Sequence, residues 1–230
     1  MSQPAATTPS AHQPRTRLVR MLQAGVPQKS LRDLGNRLRY GRNAPLSDEC
    51  VWIDPREASH AYKRPKSGPV YLRRHSGTVA DGDWDLGRRE VDRMPKISAC
   101  FRHFVDGESW EETGIIDEML ARIDKHGLFD GCRNRADVIA RYEGIDRMFD
   151  NVARTRRLEP VASRPERFRR EHGGVLVHID RDGRPMLAGN GNHRLAIARI
   201  LGLERIPAQL GALHRRAWDA GVMEELRRPG

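Results

Sequence analysis

Cysteine is scarce in this chain, lysine is outnumbered by arginine, and no apolar run approaches the length of a membrane span. The three cysteines, Cys50, Cys100 and Cys132, form no CxxC pair and share no zinc-ligand spacing with histidine. That excludes a disulfide framework and a zinc knuckle, and it predicts free thiols in a reducing, cytoplasmic setting. The lack of about 20 consecutive apolar residues excludes a transmembrane helix. Residues 1–13 lack the apolar core of a signal peptide. Their Ala, Thr, Pro and Ser content predicts a disordered tail over residues 1–16.

What is present is charge. The 230 residues carry 41 Lys+Arg against 31 Asp+Glu, a formal net charge of +10. Such a balance favours polyanionic partners: nucleic acid, nucleotides or an anionic surface. An arginine-rich, merely solvated surface is the plain alternative. With 38% hydrophobic residues the chain has enough apolar material for a core.

Residues 17–40 read as a basic helical segment divided by Pro27, with Leu31, Leu34 and Leu38 expected to rest on the domain. The remainder, 41–230, reads as one domain. Val51-Trp52-Ile53 and Val70-Tyr71-Leu72 are strand candidates. Ser109 and Glu112 form a capping box ahead of an apolar helical face running from Ile115 to Ile123. A second helix is expected over about 135–154, so a helical insertion spans about 109–154. A basic connector covers 155–172.

The informative stretch is 174–210. Val175 to Ile179 is a strand, Asp182-Gly183 a tight turn, and Met186-Leu187-Ala188 the returning strand. A glycine loop then enters an apolar helix, Leu195 to Leu201, and Ile206 to Leu210 forms a last strand whose proline suits a sheet edge. In the loop, Gly189 and Gly191 let backbone N–H groups approach an anion, and the helix start supplies unpaired donors and a positive dipole. Asn190 lies between the glycines, Asn192 can cap the helix, His193 can donate to a phosphate or ribose, and Arg194 can grip phosphate bidentately. The pattern predicts a nucleotide cradle; the simpler reading is a tight turn capped by Asn192.

Gly191-Asn192-His193-Arg194, with Leu195-Ala196-Ile197-Ala198 and Leu201-Gly202-Leu203-Glu204-Arg205-Ile206-Pro207, resembles the ParB/sulfiredoxin-like superfamily. Tyr40 to Pro45, Trp52 to Pro55, Gly82 to Asp85 and Trp110 to Thr113 extend the resemblance to ParB-like proteins along the chain. The resemblance implies an α+β fold, a small mixed β-sheet with packed helices, that binds an NTP (ATP or CTP), with Gly191, His193 and Arg194 at the phosphates. Three departures matter. Asn192 stands where sulfiredoxins carry a catalytic cysteine. Asn190 stands where the serine kinases of the superfamily carry an aspartate, and an amide cannot act as a general base. Only residues 211–230 follow the last strand, too few for the helix-turn-helix DNA module of partition proteins.

Any hydrolysis or phosphoryl transfer would therefore need carboxylates from elsewhere. Asp83 and Asp85, flanking Trp84, are the candidates for catalysis and for binding Mg2+, with Glu111 second; turn formation and helix-start charge are their plain roles. The expectation is a nucleotide-binding protein, with a nucleic-acid-associated regulator as the alternative.

Overall fold

The computed structural model describes Leu22, residues 25–163 and residues 170–229. The expected tail, most of the first half of the basic segment and residues 164–169 of the connector lie outside the described residues.

Seven strands and seven helices are described. The strands are β1 (Cys50–Ile53), β2 (His60–Tyr62), β3 (Val79–Ala80), β4 (Arg88–Glu90), β5 (Val175–Ile179), β6 (Pro185–Leu187) and β7 (Ile206–His214). The helices are α1 (Val26–Tyr40), α2 (Pro95–Phe104), α3 (Ile115–His126), α4 (Arg135–Thr155), α5 (Asn192–Ile200), α6 (Arg215–Asp219) and α7 (Val222–Leu226). The strands make one mixed sheet in the order β1-β7-β5-β6-β2-β4, with β3 also paired to β7. This is an α+β fold.

The hairpin β5–β6 is antiparallel, and the loop and helix α5 carry the chain back so that β7 runs parallel to β5. Leu195, Ala196, Ile197 and Ala198 of α5 are fully buried, because this short helix is wedged between β5 and the helices α2 and α4. The helical insertion is longer than expected. It begins with α2 at Pro95, a residue suited to a helix start because its missing N–H has no acceptor there anyway.

Other expectations are corrected. Val70-Tyr71-Leu72 is not a strand. The Ser109/Glu112 capping box forms, with the Glu112 carboxylate accepting from Ser109 N at 2.7 Å, but it closes a turn, and α3 begins only after Gly114. Pro207 does not mark an edge. Strand β7 is nine residues long and wholly buried, with β1 on one side and β5 on the other. Pro207 is tolerated because the β5 ladder starts one residue later, at Ala208.

The helix α1 reverses its expected orientation. Its buried side chains are Lys29 and Asp33, whereas Leu31 is 72% and Leu38 82% exposed. The Lys29 ammonium donates to both Asp48 oxygens, at 2.8 and 3.0 Å. Asp33 accepts from Ser47 N at 2.7 Å and from Arg170 at 2.8 Å, and Asn36 donates to the carbonyls of Pro45 and Gly77. The surface beneath α1 offers oxygens to Lys29 and Asn36 and N–H donors to Asp33, so the helix docks by its polar groups and its leucines face outward.

The three cysteines are free. Burial pushes the Cys50 and Cys100 thiols up to about 12, which keeps both protonated and inert. Among the described residues no helix is long and apolar enough to cross a membrane.

Candidate functional site

The glycine loop is built by two left-handed residues, Gly189 at φ 107° and Gly191 at φ 89°. A Cβ on Gly191 would lie 2.5 Å from Val175 Cα, so the loop sits hard against the start of β5. Leu176 N donates to Asn190 O at 3.1 Å, and Ala188 N to Leu176 O at 2.8 Å, which ties the loop down. Gly191 is itself the N-cap of α5, and no side chain caps the helix. Asn192, expected as the cap, is the first helical residue. Its amide nitrogen lies 3.4 Å from Gly189 O, and its Oδ1 is buried with no hydrogen-bond partner. The helix start thus keeps its dipole uncompensated by any side chain.

The loop lines a cleft of about 450 Å³. Gly189, Asn190, Gly191, Asn192, His193 and Arg194 all border it, so the six residues expected at a phosphate do converge. His193 is 8% exposed and its ring meets Tyr142 edge-on, with centroids 5.6 Å apart. Its Nε2 is buried and has no hydrogen-bond partner. Burial, reinforced by Arg141 and Lys96, pushes its pKa down to about 3, so the ring is neutral near pH 7. Arg194 Nη2 donates to Glu159 O at 2.6 Å, which anchors the guanidinium at the rim. With its amide oriented so that the oxygen faces the guanidinium, Asn190 accepts from Arg73 Nη1 at 3.0 Å.

Sequence reasoning missed half of this cleft. Lys96 from α2, Asp130 from the turn before α4, and Arg141, Gly144, Ile145 and Met148 from α4 complete its wall, with Val161 and Gly173. Asp130, held at φ 53°, forms ion pairs with Lys96 and with Arg141, the latter at 3.2 Å. Burial opposes its ionisation, but the two cations prevail and hold its carboxyl below the usual carboxylate range. Among the described lining residues Asp130 is the one carboxylate, and Lys96 and Arg141 already engage it. The only sequence signal for Arg141 was its place on the charged face of α4, a face that ordinarily meets solvent.

The carboxylates expected to do chemistry are elsewhere. Asp85 is fully buried, and its oxygens accept from Arg181 N at 2.9 Å and from the Arg181 guanidinium at 2.7 to 3.2 Å. Asp83 is exposed and reaches the same guanidinium at 2.8 Å. Arg181 follows β5 at its far end, in the turn to β6, whereas the glycine loop touches Val175 at the near end. At ~3.3 Å per residue, the strand separates the two by roughly 20 Å. Glu111 is exposed, 3.6 Å from Arg135, and does not border the cleft. Asp85 is therefore a clasp joining the segment after β3 to the β5–β6 turn, with both its oxygens on Arg181; Asp83 adds Oδ1 to the same guanidinium, and Glu111 is a surface charge. Asp83→Asn is accordingly expected to change unfolding free energy by no more than about 0.5 kcal/mol, and Asp85→Ala to cost about 2–3 kcal/mol by stranding Arg181. Urea unfolding of the two variants checks this, and equal costs would refute the clasp.

No family model matches the chain, and neither a curated protein nor a solved structure does. Function therefore has to be argued from the cleft.

Proposed function

We propose that this protein binds a nucleoside phosphate in the cleft at the start of α5. One observation carries the reading: an α-helix with no side-chain cap opens onto a cleft lined by Lys96, Arg141 and Arg194 and by His193, whose buried Nε2 has no hydrogen-bond partner among the described residues. Backbone donors, helix dipole and guanidinium groups are the usual equipment for a phosphate, and a neutral imidazole suits a hydroxyl or phosphate oxygen. The ParB/sulfiredoxin-like resemblance of 174–210 supports the same ligand class, ATP or CTP.

The cleft offers binding rather than turnover. Among the described residues its one lining carboxylate, Asp130, is tied to Lys96 and Arg141, so it is not free to serve as a general base or as a ligand for Mg2+. A magnesium ion would enter, if at all, on the nucleotide's own phosphates. The protein is read as a nucleotide-responsive binding module.

A thermal-shift series with ATP, ADP, CTP and GTP, with and without magnesium, tests this. A ligand at a hundredfold excess over its Kd is expected to add about 2.7 kcal/mol of stability. Arg141→Ala and Arg194→Ala are each expected to abolish most of that gain. If no nucleotide stabilises the native protein, the reading is wrong.

A second reading, contact with nucleic acid, rests on a separate cleft beside α1, bordered by Lys29, Arg32, Arg73, Arg74, His75 and His172, with no carboxylate among its described lining residues. Salt-dependent DNA binding without nucleotide would favour it.

A further inference from the structure

We infer that the α4 wall of the cleft, at Gly144, Ile145, Met148 and Val161, receives a flat apolar ring, so that the ligand's base lies across α4 while its phosphates sit at the start of α5. The inference rests on the phosphate reading above and assigns the end of the ligand that carries no charge.

Gly144 is the telling residue. It lies in the interior of a 21-residue helix, where glycine is about 1 kcal/mol worse than alanine. Nothing inside the protein requires it. A Cβ built on Gly144 meets only Arg147 Nη2, at 3.7 Å and from the same helix, an ordinary contact. Its φ is not positive. Gly35, inside α1, is equally unhindered but borders neither cleft, whereas three other glycines are fixed by close contacts. At Gly191 a Cβ would lie 2.5 Å from backbone, at Gly87 2.4 Å and at Gly211 2.6 Å, so those positions are glycine for the sake of the fold. At Gly144 the missing side chain instead leaves open space on a helix that borders the cleft.

The neighbours of Gly144 suit a ring. Ile145 and Val161 are buried and Met148 is half-buried, so this end of the cleft is apolar. A methionine thioether packs well against aromatic edges and adapts to their shape. Arg141, Gly144, Ile145 and Met148 follow one another at i, i+3, i+4 and i+7 along one face of α4, so the wall runs from a cation to an apolar patch. At ~1.5 Å per residue that run is about 10 Å long, matched to a molecule with a phosphate at one end and a base at the other. His193 Nε2, nine-tenths buried and unpartnered, borders the same cleft and is a neutral group fit for a sugar hydroxyl. A volume of about 450 Å³ is of the right order for such a ligand.

The test uses the whole chain and its Gly144→Leu variant. A Cβ here meets only an ordinary contact and leucine improves helix propensity, so the variant is expected to unfold at the same temperature as the native protein or higher. Calorimetric titrations with ATP, CTP, GTP and inorganic triphosphate then separate the two ends of the site. Gly144→Leu is expected to weaken the best nucleotide at least tenfold while leaving triphosphate affinity within about twofold. Nucleotide affinity unchanged in Gly144→Leu overturns the base position and leaves the phosphate reading standing. Triphosphate binding to the native protein with no tighter binding of any nucleotide does the same. If the native protein binds neither, both readings fall.

Discussion

Acidification from pH 6.5 to pH 4.5 is expected to lower the unfolding free energy by about 5 kcal/mol through histidine alone. Two buried imidazoles cause this. His178 is fully buried, with Nδ1 accepting from Ala212 N at 2.9 Å and Nε2 facing Tyr71 O at 3.2 Å, an arrangement that suits only the neutral ring. Burial pushes its pKa down to about 4, and that of His193 to about 3. Both folded values lie below that of a free histidine, near 6.5, so between those limits the unfolded chain binds more protons than the native one. Their stabilisation is complete above pH 6.5 and drains away as pH falls toward 4 and 3. Each such proton is worth about 1.36 kcal/mol per pH unit, and two protons over two units give the figure above. Urea midpoints across this range measure it. His193→Gln is expected to halve the slope. Stability that stays flat down to pH 4.5 would show that the buried imidazoles already carry protons in the native state.

Gly191→Val is expected to be the most damaging change in the cleft. A side chain there is opposed twice, by φ 89° and by Val175, whose Cα and Cγ2 would lie 2.5 and 2.9 Å from the new Cβ. Left-handed strain costs on the order of 1–3 kcal/mol, and pushing β5 away from the loop adds an overpacking cost of similar size. The variant should lose about 3 kcal/mol or more and all nucleotide protection. Gly189→Ala is the control. Gly189 has φ 107° but open space around it, so this variant bears only the strain and should remain folded. Chemical denaturation together with ligand thermal shifts reads both. If Gly191→Val folds and binds as the native protein does, the cradle has been misdrawn.

The sequence revealed those parts whose signals are local. Asp182-Gly183 between two apolar runs specifies the β5–β6 hairpin, and two glycines before an all-apolar helix specify the loop and α5. The short strands β2, β3 and β4 gave no such signal. His60–Tyr62 and Arg88–Glu90 lack apolar alternation, and they are strands because β6 and each other supply partners. Lys96, Asp130 and Arg141 come from three separate elements and meet only in the tertiary structure. Asp83 and Asp85 misled because a carboxylate pair beside a tryptophan reads alike whether it awaits a metal or an arginine, and Arg181 lies 96 residues beyond Asp85. The helix α1 misled because an amphipathic pattern records which face is oily and says nothing of what the neighbouring surface offers.

The placement of β7 also governs when the sheet can exist. It pairs with β1, with β3 and with β5, so it joins the strands of the N-terminal half to the β5–β6 hairpin. It is also the last strand of this sheet to leave the ribosome. During synthesis β1 and β3 emerge well over a hundred residues before their partner, while the locally closed helices α3 and α4 can form on their own schedule. A nascent chain stopped before Ile206 would hold a helical hairpin and unpaired strand edges, the species most exposed to chaperones and to self-association. Assembly of the cleft at the start of α5, which leans on β5 through Val175, is thus deferred until β7 has been made.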